Sequence, residues 1–331
     1  MTGHRRLRVS TLALPTSSSE SEVFKAVRFG ATCTLLIRKA IDDLYDPSGC
    51  GNLKRSGSLI MDHCVNMLAN YRHFTEAKHS TWDTFVLPDT LGLLPLFCLG
   101  LRKSLMFRSS LSKDATQSSL PSPNGDERAY KLFFGSRITP VMSMLCVHPN
   151  LFSILDMKTG DGEWIPSHPK LVVDDRSKIS CHIALSEPIP SSVTQLQDNG
   201  IYLLDDGLTI YLFIGRDVNI ETREDLLFYD HTEPRLQSSS TLAKKIIRII
   251  HQIRRFTSIG GVQEQSIRPI FSPLILVIGT GGSGYRKGID DASEKLMIES
   301  CIDDTSGGES SYHDFLYEVH RRVKEKQKTL T

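Results

Sequence analysis

A glycine-rich run near the end of the sequence has the spacing of a dinucleotide-binding loop. Gly279, Gly281 and Gly284 satisfy the pattern G-x-G-x-x-G directly after an apolar stretch, and such glycines let a backbone approach a pyrophosphate at the start of a helix. The next residues, YRKG, lack the small apolar side chains of a packed first helical turn, and no strand ending in an acidic residue follows about 20 residues later. The pattern therefore favours a flexible loop, and a nucleotide-binding enzyme that uses Gly279–Gly284 is kept as an alternative function.

Two adjacent acidic residues, Asp205 and Asp206, precede Gly207 between the apolar stretches IYLL and LTIYLFI. Paired carboxylates can serve acid–base catalysis when their environments separate their pKa values, or they can bind a cation. An Asp-Gly step between two strands is instead typical of a hairpin turn, because glycine adopts positive φ at little steric cost. We therefore predict a turn at these residues and no catalytic pair.

The cysteines and histidines show no pattern of a catalytic or metal site. All seven cysteines stand singly, and the sequence contains no C-x-x-C, H-E-x-x-H or G-x-S-x-G motif. Cys181 and His182 are adjacent in a predicted strand and His63 and Cys64 in a predicted helix, where neighbouring side chains diverge. Unpatterned cysteines are typical of reduced thiols in a cytosolic protein. We predict no catalytic residue and no cofactor in this chain.

The segment Thr241–Phe256, TLAKKIIRIIHQIRRF, is the most strongly amphipathic part of the sequence. One half of the predicted helix is apolar and carries Leu242, Ala243, Ile246, Ile247, Ile249, Ile250 and Ile253. The other half is basic and carries Lys244, Lys245, Arg248, His251 and Arg255. Such a helix can bind an anionic membrane or an acidic partner. Within an α/β domain its apolar half predicts a core face and its basic half a solvated outer face.

Composition describes an ordinary globular protein. The chain has 331 residues, 40% of them hydrophobic, and 39 basic against 38 acidic side chains give a net charge of +1. This balance provides no overall attraction to nucleic acid or to an anionic membrane. No apolar run approaches the roughly 20 residues that span a bilayer. The length favours two domains.

The elements that position these residues fall into a helical half and an α/β half. The first half predicts helices from the cap region at Ser17–Ser21 to about Tyr45, over 59–77 and over 91–107, and then two short helices around Pro140. A Ser/Pro-rich loop at 109–126 interrupts them. The second half predicts strands over 151–157, 179–185, 201–204, 208–214 and 273–278, together with Thr241–Phe256 and a closing helix that begins at Ser311. Tyr312, Phe315, Leu316, Val319 and Val323 form the core-facing stripe of that last helix.

One predicted strand, Arg6–Leu14, has no partner for well over 100 residues, although a single strand is not stable alone. It therefore either pairs with a strand far downstream or is the last strand of a domain that is missing from this chain, and we favour the second interpretation. The chain would then be a C-terminal fragment or a short gene model.

Several segments resemble one known family. The stretch GIYLLDDGLTIYLFIG and the closing stretch SEKLMIESCIDDTSGGESSYHDFLYEVHRRV resemble the gelsolin-like domain of the COPII inner-coat cargo adaptors, the Sec twenty-four family. RRLRVSTLALPTSSSESEVF, LPLFCLGLRKS and DERAYKLFFGSRITPVMSMLCVHPNLFSILDM resemble the preceding strand and the helical domain of that family, in the same order. The signature residues, to which the resemblance gives a structural role, are Gly200, Leu203, Asp205, Asp206, Gly207, Gly215, Tyr312, Phe315 and Leu316.

The resemblance implies function by assembly. It divides the chain into the last sandwich strand (1–16), a helical domain (17–150) and an α/β gelsolin-like domain with a mixed sheet (151–331). It implies a non-enzymatic adaptor in ER-to-Golgi transport, which pairs with the paralogous inner-coat subunit, contacts the ER membrane peripherally, stays cytoplasmic and binds no nucleic acid. The family's zinc site and main cargo-binding part would lie upstream of residue 1. A gelsolin-like module that binds actin, with or without calcium, is the other alternative function.

Overall fold

A computed structural model describes residues 16–46, 53–75, 86–108, 125–166, 181–230, 233–259, 262–265, 274–278, 291–302 and 311–330. The first half holds six helices among its described residues: α1 Glu20–Ala26, α2 Phe29–Tyr45, α3 Leu53–Phe74, α4 Leu94–Lys103, α5 Gly125–Gly135 and α6 Pro140–Val147. The second half holds the strands β1 Asn150–Ser153, β2 Trp164–Pro166, β3 Cys181–Ile183, β4 Ile201–Asp205, β5 Ile210–Ile214, β6 Leu227–Asp230, β7 Glu233–Leu236, β8 Phe256–Ile259, β9 Val262–Gln265 and β10 Leu274–Ile278. Its helices are α7 Ile220–Leu226, α8 Thr241–Arg255, α9 Asp291–Ser300 and α10 Tyr312–Leu330.

The predicted first helix is two helices. Val27 has extended backbone, with φ −58° and ψ 132°, and separates α1 from α2. Within α2, Ala31 and Ile41 are buried, whereas Leu35 is exposed. Because Val27 interrupts the helix, a single period of 3.6 residues does not continue from α1 into α2.

The helical core forms where α2, α3, α4 and α6 pack together. α4 is buried nearly all round, as its uniformly apolar sequence predicts. α6 begins at Pro140, and its N-cap Thr139 accepts a hydrogen bond from Met142 N, so local sequence fixes its start. The closing helix α10 completes this core, because it packs on α3 and α4 and buries Phe315, Val319 and Val323 among the helical side chains.

The second half is built on a four-stranded mixed sheet of order β1-β4-β5-β10. β1, β4 and β5 are antiparallel neighbours, with Ile201 opposite Ile214, whereas β10 runs parallel to β5 with Leu274 opposite Ile210. β4 and β5 are buried along their whole length. Alternate residues of these strands point to the two faces of the sheet. Leu203 and Leu212 pack with α8 on one face, whereas Tyr211 and Phe213 pack with Met297 of α9 on the other. A sheet covered on both faces explains why its central strands have nearly continuous apolar sequences.

The described residues of the second half also form three two-stranded ribbons, β2–β3, β6–β7 and β8–β9. β2, β6 to β9, α7 and α9 were not predicted. None of the helices among the described residues combines the length and the apolar character that crossing a membrane requires.

The predicted architecture, a helical domain followed by an α/β domain with a mixed sheet, is confirmed. The strand at Arg6–Leu14 and the glycine-rich run Gly279–Gly284 lie outside the described residues. The boundaries at 16 and 150 stay predictions.

The domain junction as the candidate functional site

The predicted turn at Asp205–Gly207 closes the β4–β5 hairpin. Gly207 has φ +81°, which glycine adopts without steric cost. Asp205 Oδ1 accepts a hydrogen bond from Gly207 N at 3.0 Å, and Asp206 Oδ1 accepts two, from Leu208 N at 2.9 Å and Thr209 N at 2.7 Å. The two carboxylates therefore organise the turn itself.

Asp206 also joins the four-stranded sheet to the helical domain. Its side chain is almost fully buried, and its Oδ2 atom forms an ion pair with Lys131 Nζ on α5. Ser300 Oγ at the end of α9 lies 3.5 Å from the same oxygen. Burial alone would lower the pKa of Lys131, but the attraction of Asp206 outweighs it and leaves that pKa raised. Lys131 is therefore held in its charged form inside the junction.

A second buried ion pair lies beside the first. Arg108, just after α4, places Nη2 3.8 Å from Glu299 Oε2 on α9, and both side chains are buried. Arg128 of α5 donates to the carbonyl oxygens of Leu105 at 3.3 Å and Arg108 at 2.9 Å. Burial lowers the pKa of Arg108, and the Glu299 carboxylate opposes that shift. The two ion pairs connect the helical half to two elements of the α/β half.

The tip of the hairpin inserts into the helical domain. Leu208 is fully buried and belongs to the helical core rather than to the core around the sheet. A Cβ atom at Gly207 would lie 3.1 Å from Leu145 Cβ and 3.3 Å from Met142 O, so α6 contacts the turn directly. The junction therefore has an apolar contact next to its buried charges.

The opposite end of the hairpin is held by close backbone contacts. Gly215 N donates to Gly200 O at 2.8 Å. A Cβ atom at Gly215 would lie 2.2 Å from Asp198 O, and one at Gly200 would lie 2.4 Å from the ring of Tyr202. Leu203 between these ends is fully buried under α8.

The remaining signature residues lie on α10, away from the hairpin. Phe315 is fully buried, Tyr312 packs at the edge of the helical core, and Leu316 is half-buried. The guanidinium carbon of Arg102 lies 5.7 Å from the centre of the Phe315 ring. Ser311 Oγ accepts a hydrogen bond from Asp314 N at 3.2 Å and so caps the start of α10.

The structure thus brings Asp205, Asp206 and Gly207 together, and it places Gly200, Gly215 and the α10 residues in separate structural contacts. Sequence reasoning missed the partners of Asp206 across the junction, Lys131 and Ser300. It also missed the neighbouring ion pair of Arg108 with Glu299. A lysine within the apolar segment AYKLFFG is a sequence signal for a buried pair, because a buried lysine needs a partner.

The junction positions domains and provides little room for a substrate. A cavity of about 20 Å³ is lined by Lys131, Cys146, Asp206, Glu299 and Ser300 among others, which is the size of about one water molecule. Among the residues that the structure describes, no group of three or more His, Cys, Asp or Glu side chains is placed to hold a metal ion. The expectation that this chain carries no cofactor stays a prediction.

Comparisons with known proteins match both halves. The family model of the Sec23/Sec24 helical domain matches residues 29–144, and that of the gelsolin repeat matches residues 182–256. The protein transport protein SEC24 A of Arabidopsis thaliana is 25% identical over 98% of this chain and 27% of its own length. The human protein transport protein Sec24B is 26% identical over 97% of this chain and 22% of its own length.

A solved structure agrees with the fold. The crystal structure of the human COPII-coat protein Sec24c matches 93% of this chain and 34% of that chain, with a TM-score of 0.59 and 16% identity. The chain spans about a quarter of the length of the curated relatives it matches. With both domain models in the expected order and alignments along nearly its whole length, the chain belongs to the SEC24 family and carries its helical and gelsolin-like domains.

Proposed function

We propose that this chain is a structural adaptor of the COPII vesicle coat, which acts in ER-to-Golgi protein transport by assembling with other proteins. The observation that carries the proposal is the alignment of SEC24 transport proteins along 97–98% of the chain. The described junction supports it, because its buried ion pairs and inserted hairpin fix one domain against the other, as a rigid assembly unit requires.

The partners that fit this role are the paralogous inner-coat subunit and transported cargo, and the location is cytoplasmic, peripheral on the ER membrane and on coated vesicles. A non-enzymatic role fits the chemistry of the junction. The carboxylates of Asp205 and Asp206 already accept hydrogen bonds from the backbone of their own turn. Catalytic carboxylates need a free oxygen within reach of a substrate proton.

The direct test is co-purification. The tagged full chain is expressed with the paralogous inner-coat subunit, and in cells its position is compared with a COPII marker. We expect a stable complex and punctate co-localisation with ER exit sites. The variant that disrupts the junction is Leu208→Asp, which introduces a charge at the inserted hairpin tip and should abolish the complex. A wild-type chain that elutes alone and is diffuse in cells would contradict the proposal.

A second candidate function rests on the gelsolin-repeat match at residues 182–256. That match alone is compatible with actin binding, whereas the adjoining helical-domain match at 29–144 favours the coat. Co-sedimentation with filamentous actin separates the two: we expect the chain to stay in the supernatant. Saturable pelleting with actin would favour the gelsolin-type function instead.

A further inference from the structure

Helix α8 presents a basic outer face that the junction and the core do not use. Its apolar side packs on the sheet and buries Ala243, Ile246, Ile249, Ile250 and Ile253. The helix contains no acidic residue. On the other side Lys244 and His251 are exposed, and Lys245 and Arg248 are partly exposed. The cations therefore line one side of a helix that is about 22 Å long.

The β2–β3 ribbon lies against this basic side. Gly162, at φ +76°, leads into β2, and a Cβ atom there would lie 3.1 Å from Lys245 Cβ. Gly162 N donates to Ala184 O at 2.9 Å and Ala184 N donates to Glu163 O at 3.0 Å, which ties the turn to β3. The buried Asp161 accepts hydrogen bonds from Lys158 N and Ser186 Oγ and fixes the turn further. The ribbon is thus held at a defined distance from α8.

Glu163 shows how this surface holds a carboxylate. Its Oε1 lies 3.5 Å from Lys245 Nζ, and its Oε2 lies 3.5 Å from Arg248 Nη1. One acid from the ribbon therefore sits between two cations of α8, half exposed to solvent. Lys244 donates to the backbone oxygen of Ser239 at 3.1 Å and is a further exposed cation on this side.

Strand β2, which follows Glu163, carries two exposed large apolar side chains. Trp164 is 55% exposed and Ile165 is 41% exposed, directly after Glu163 in β2. Tryptophan is enriched among the residues that contribute most to protein interfaces, where it fills a partner's pocket beside polar contacts. Because neighbouring side chains in a strand point to opposite faces, these two residues provide apolar contacts on both faces of the ribbon that lies against α8.

We propose that the α8–β2 surface, formed by Lys244, Lys245, Arg248, His251, Trp164 and Ile165, binds an acidic protein segment that carries an apolar side chain. The inference goes beyond the coat role proposed above. The Glu163 contacts favour a protein carboxylate over a lipid, because Lys245 and Arg248 fold back onto the ribbon instead of projecting toward a plane. An extended segment of about seven residues would follow the length of α8.

The test uses the full chain and a fluorescein-labelled peptide of about seven residues, rich in glutamate with one central leucine. The wild type should bind this peptide and not a copy in which glutamine replaces glutamate. Lys244→Glu combined with Arg248→Glu should weaken binding at least about tenfold, and Trp164→Ala about fivefold. The matched control, Lys39→Glu with Lys328→Glu, reverses two exposed charges on the helical domain and should change binding less than about twofold.

Glu163→Gln tests whether Glu163 occupies the position that a carboxylate of the peptide would take. If Glu163 occupies the carboxylate position, removing its charge frees Lys245 and Arg248, and peptide affinity should rise about two- to threefold. Raising ionic strength from about 0.01 M to 0.15 M shortens the Debye length from about 30 Å to 8 Å and should weaken wild-type binding several-fold.

Three results would overturn the proposal: no peptide binding by the folded wild type, equal loss in the Lys39/Lys328 control, or binding to phosphatidylserine vesicles without peptide binding. The last result would make the surface a lipid contact. Because this assay contains no coat subunit, its failure leaves the co-purification test of the coat role unaffected. Thermal unfolding of each variant confirms that the compared chains are folded.

Discussion

The helical core and the core around the sheet are assembled from the sequence in different ways. The sheet core joins residues between Phe152 and Ile253 with β10. The helical core joins residues between Cys33 and Val147 with Leu208 and with α10, the last helix of the chain. One core is thus nearly continuous in sequence, whereas the other closes with residues from far downstream. The difference shows that in this molecule a domain is defined by its packing and not by a single stretch of sequence.

The variant with the largest expected effect removes a side chain that α10 contributes to the helical core. Phe315→Ala should lower the free energy of unfolding by about 3–5 kcal/mol, because a fully buried aromatic ring leaves a cavity. Denaturant unfolding measures the loss, and hydrogen exchange should show it in α3 and α4. Tyr317→Ala, at a side chain that is 70% exposed, is the control and should cost less than about 0.5 kcal/mol. Unchanged exchange in α3 and α4 would show that α10 does not complete this core.

The next test breaks the charged contact between the two halves. Asp206→Ala leaves the Lys131 ammonium buried without its carboxylate and should cost about 3–5 kcal/mol. The double variant Asp206→Leu with Lys131→Met removes both charges and should recover most of that loss in denaturant unfolding. A double variant as unstable as Asp206→Ala would mean that the turn's hydrogen bonds, rather than the ion pair, dominate.

A pair of glycine variants separates backbone strain from domain contact. Gly207 and Gly160 both have positive φ, but only Gly207 lies against the helical domain, since nothing approaches a Cβ atom at Gly160 within 4 Å. Gly160→Ala should cost about 1–2 kcal/mol from the left-handed backbone alone. Gly207→Ala should cost about 1 kcal/mol more, because Leu145 and Met142 must move. Equal losses in thermal unfolding would mean that the hairpin tip tolerates displacement.

The smallest expected effect concerns an ion-pair cluster on α10. Hydrogen bonds from Arg321 and Arg322 lower the pKa of Glu318 from 4.5 to about 2. A lowered folded-state pKa adds stability above the unfolded value that is lost as pH falls from about 4.5 to 2. Because Glu318 is partly solvated, we expect no more than about 1 kcal/mol. The difference between wild type and Glu318→Gln should therefore be present at neutral pH and vanish near pH 2 in pH-dependent unfolding. A difference that is constant with pH would assign the effect to packing.

Features that depend on neighbouring residues could be predicted from this sequence, whereas contacts between residues far apart in the sequence could not. The turn at Asp205–Gly207 was predicted because an Asp-Gly step between apolar strands needs no information from elsewhere. The ion pair of Asp206 with Lys131 joins residues that are 75 positions apart. Nothing in either local sequence specifies the other, so the role of the turn as a domain contact emerged only from the structure.

The two long helices of the second half show the same limit. Periodicity predicted the buried faces of α8 and α10, and most of the predicted residues are buried, the others partly. It also led us to place both helices with the sheet, yet α10 packs on α3 and α4. A hydrophobic stripe shows which face of a helix is buried, but it does not show which other element packs against that face. The missed strands β6 to β9 are four residues each, too short for alternation to stand out.

The position of α10 has a consequence for synthesis on the ribosome. At elongation rates of about 5–20 residues per second, about 10–30 s separate the emergence of Val147 from that of Phe315. During that interval α3 and α4 have been made, but the apolar surface that α10 covers still faces solvent. Nascent chains should therefore be prone to chaperone capture at this stage, and a premature stop codon just before Tyr312 should expose the helical domain to degradation although that domain is encoded upstream.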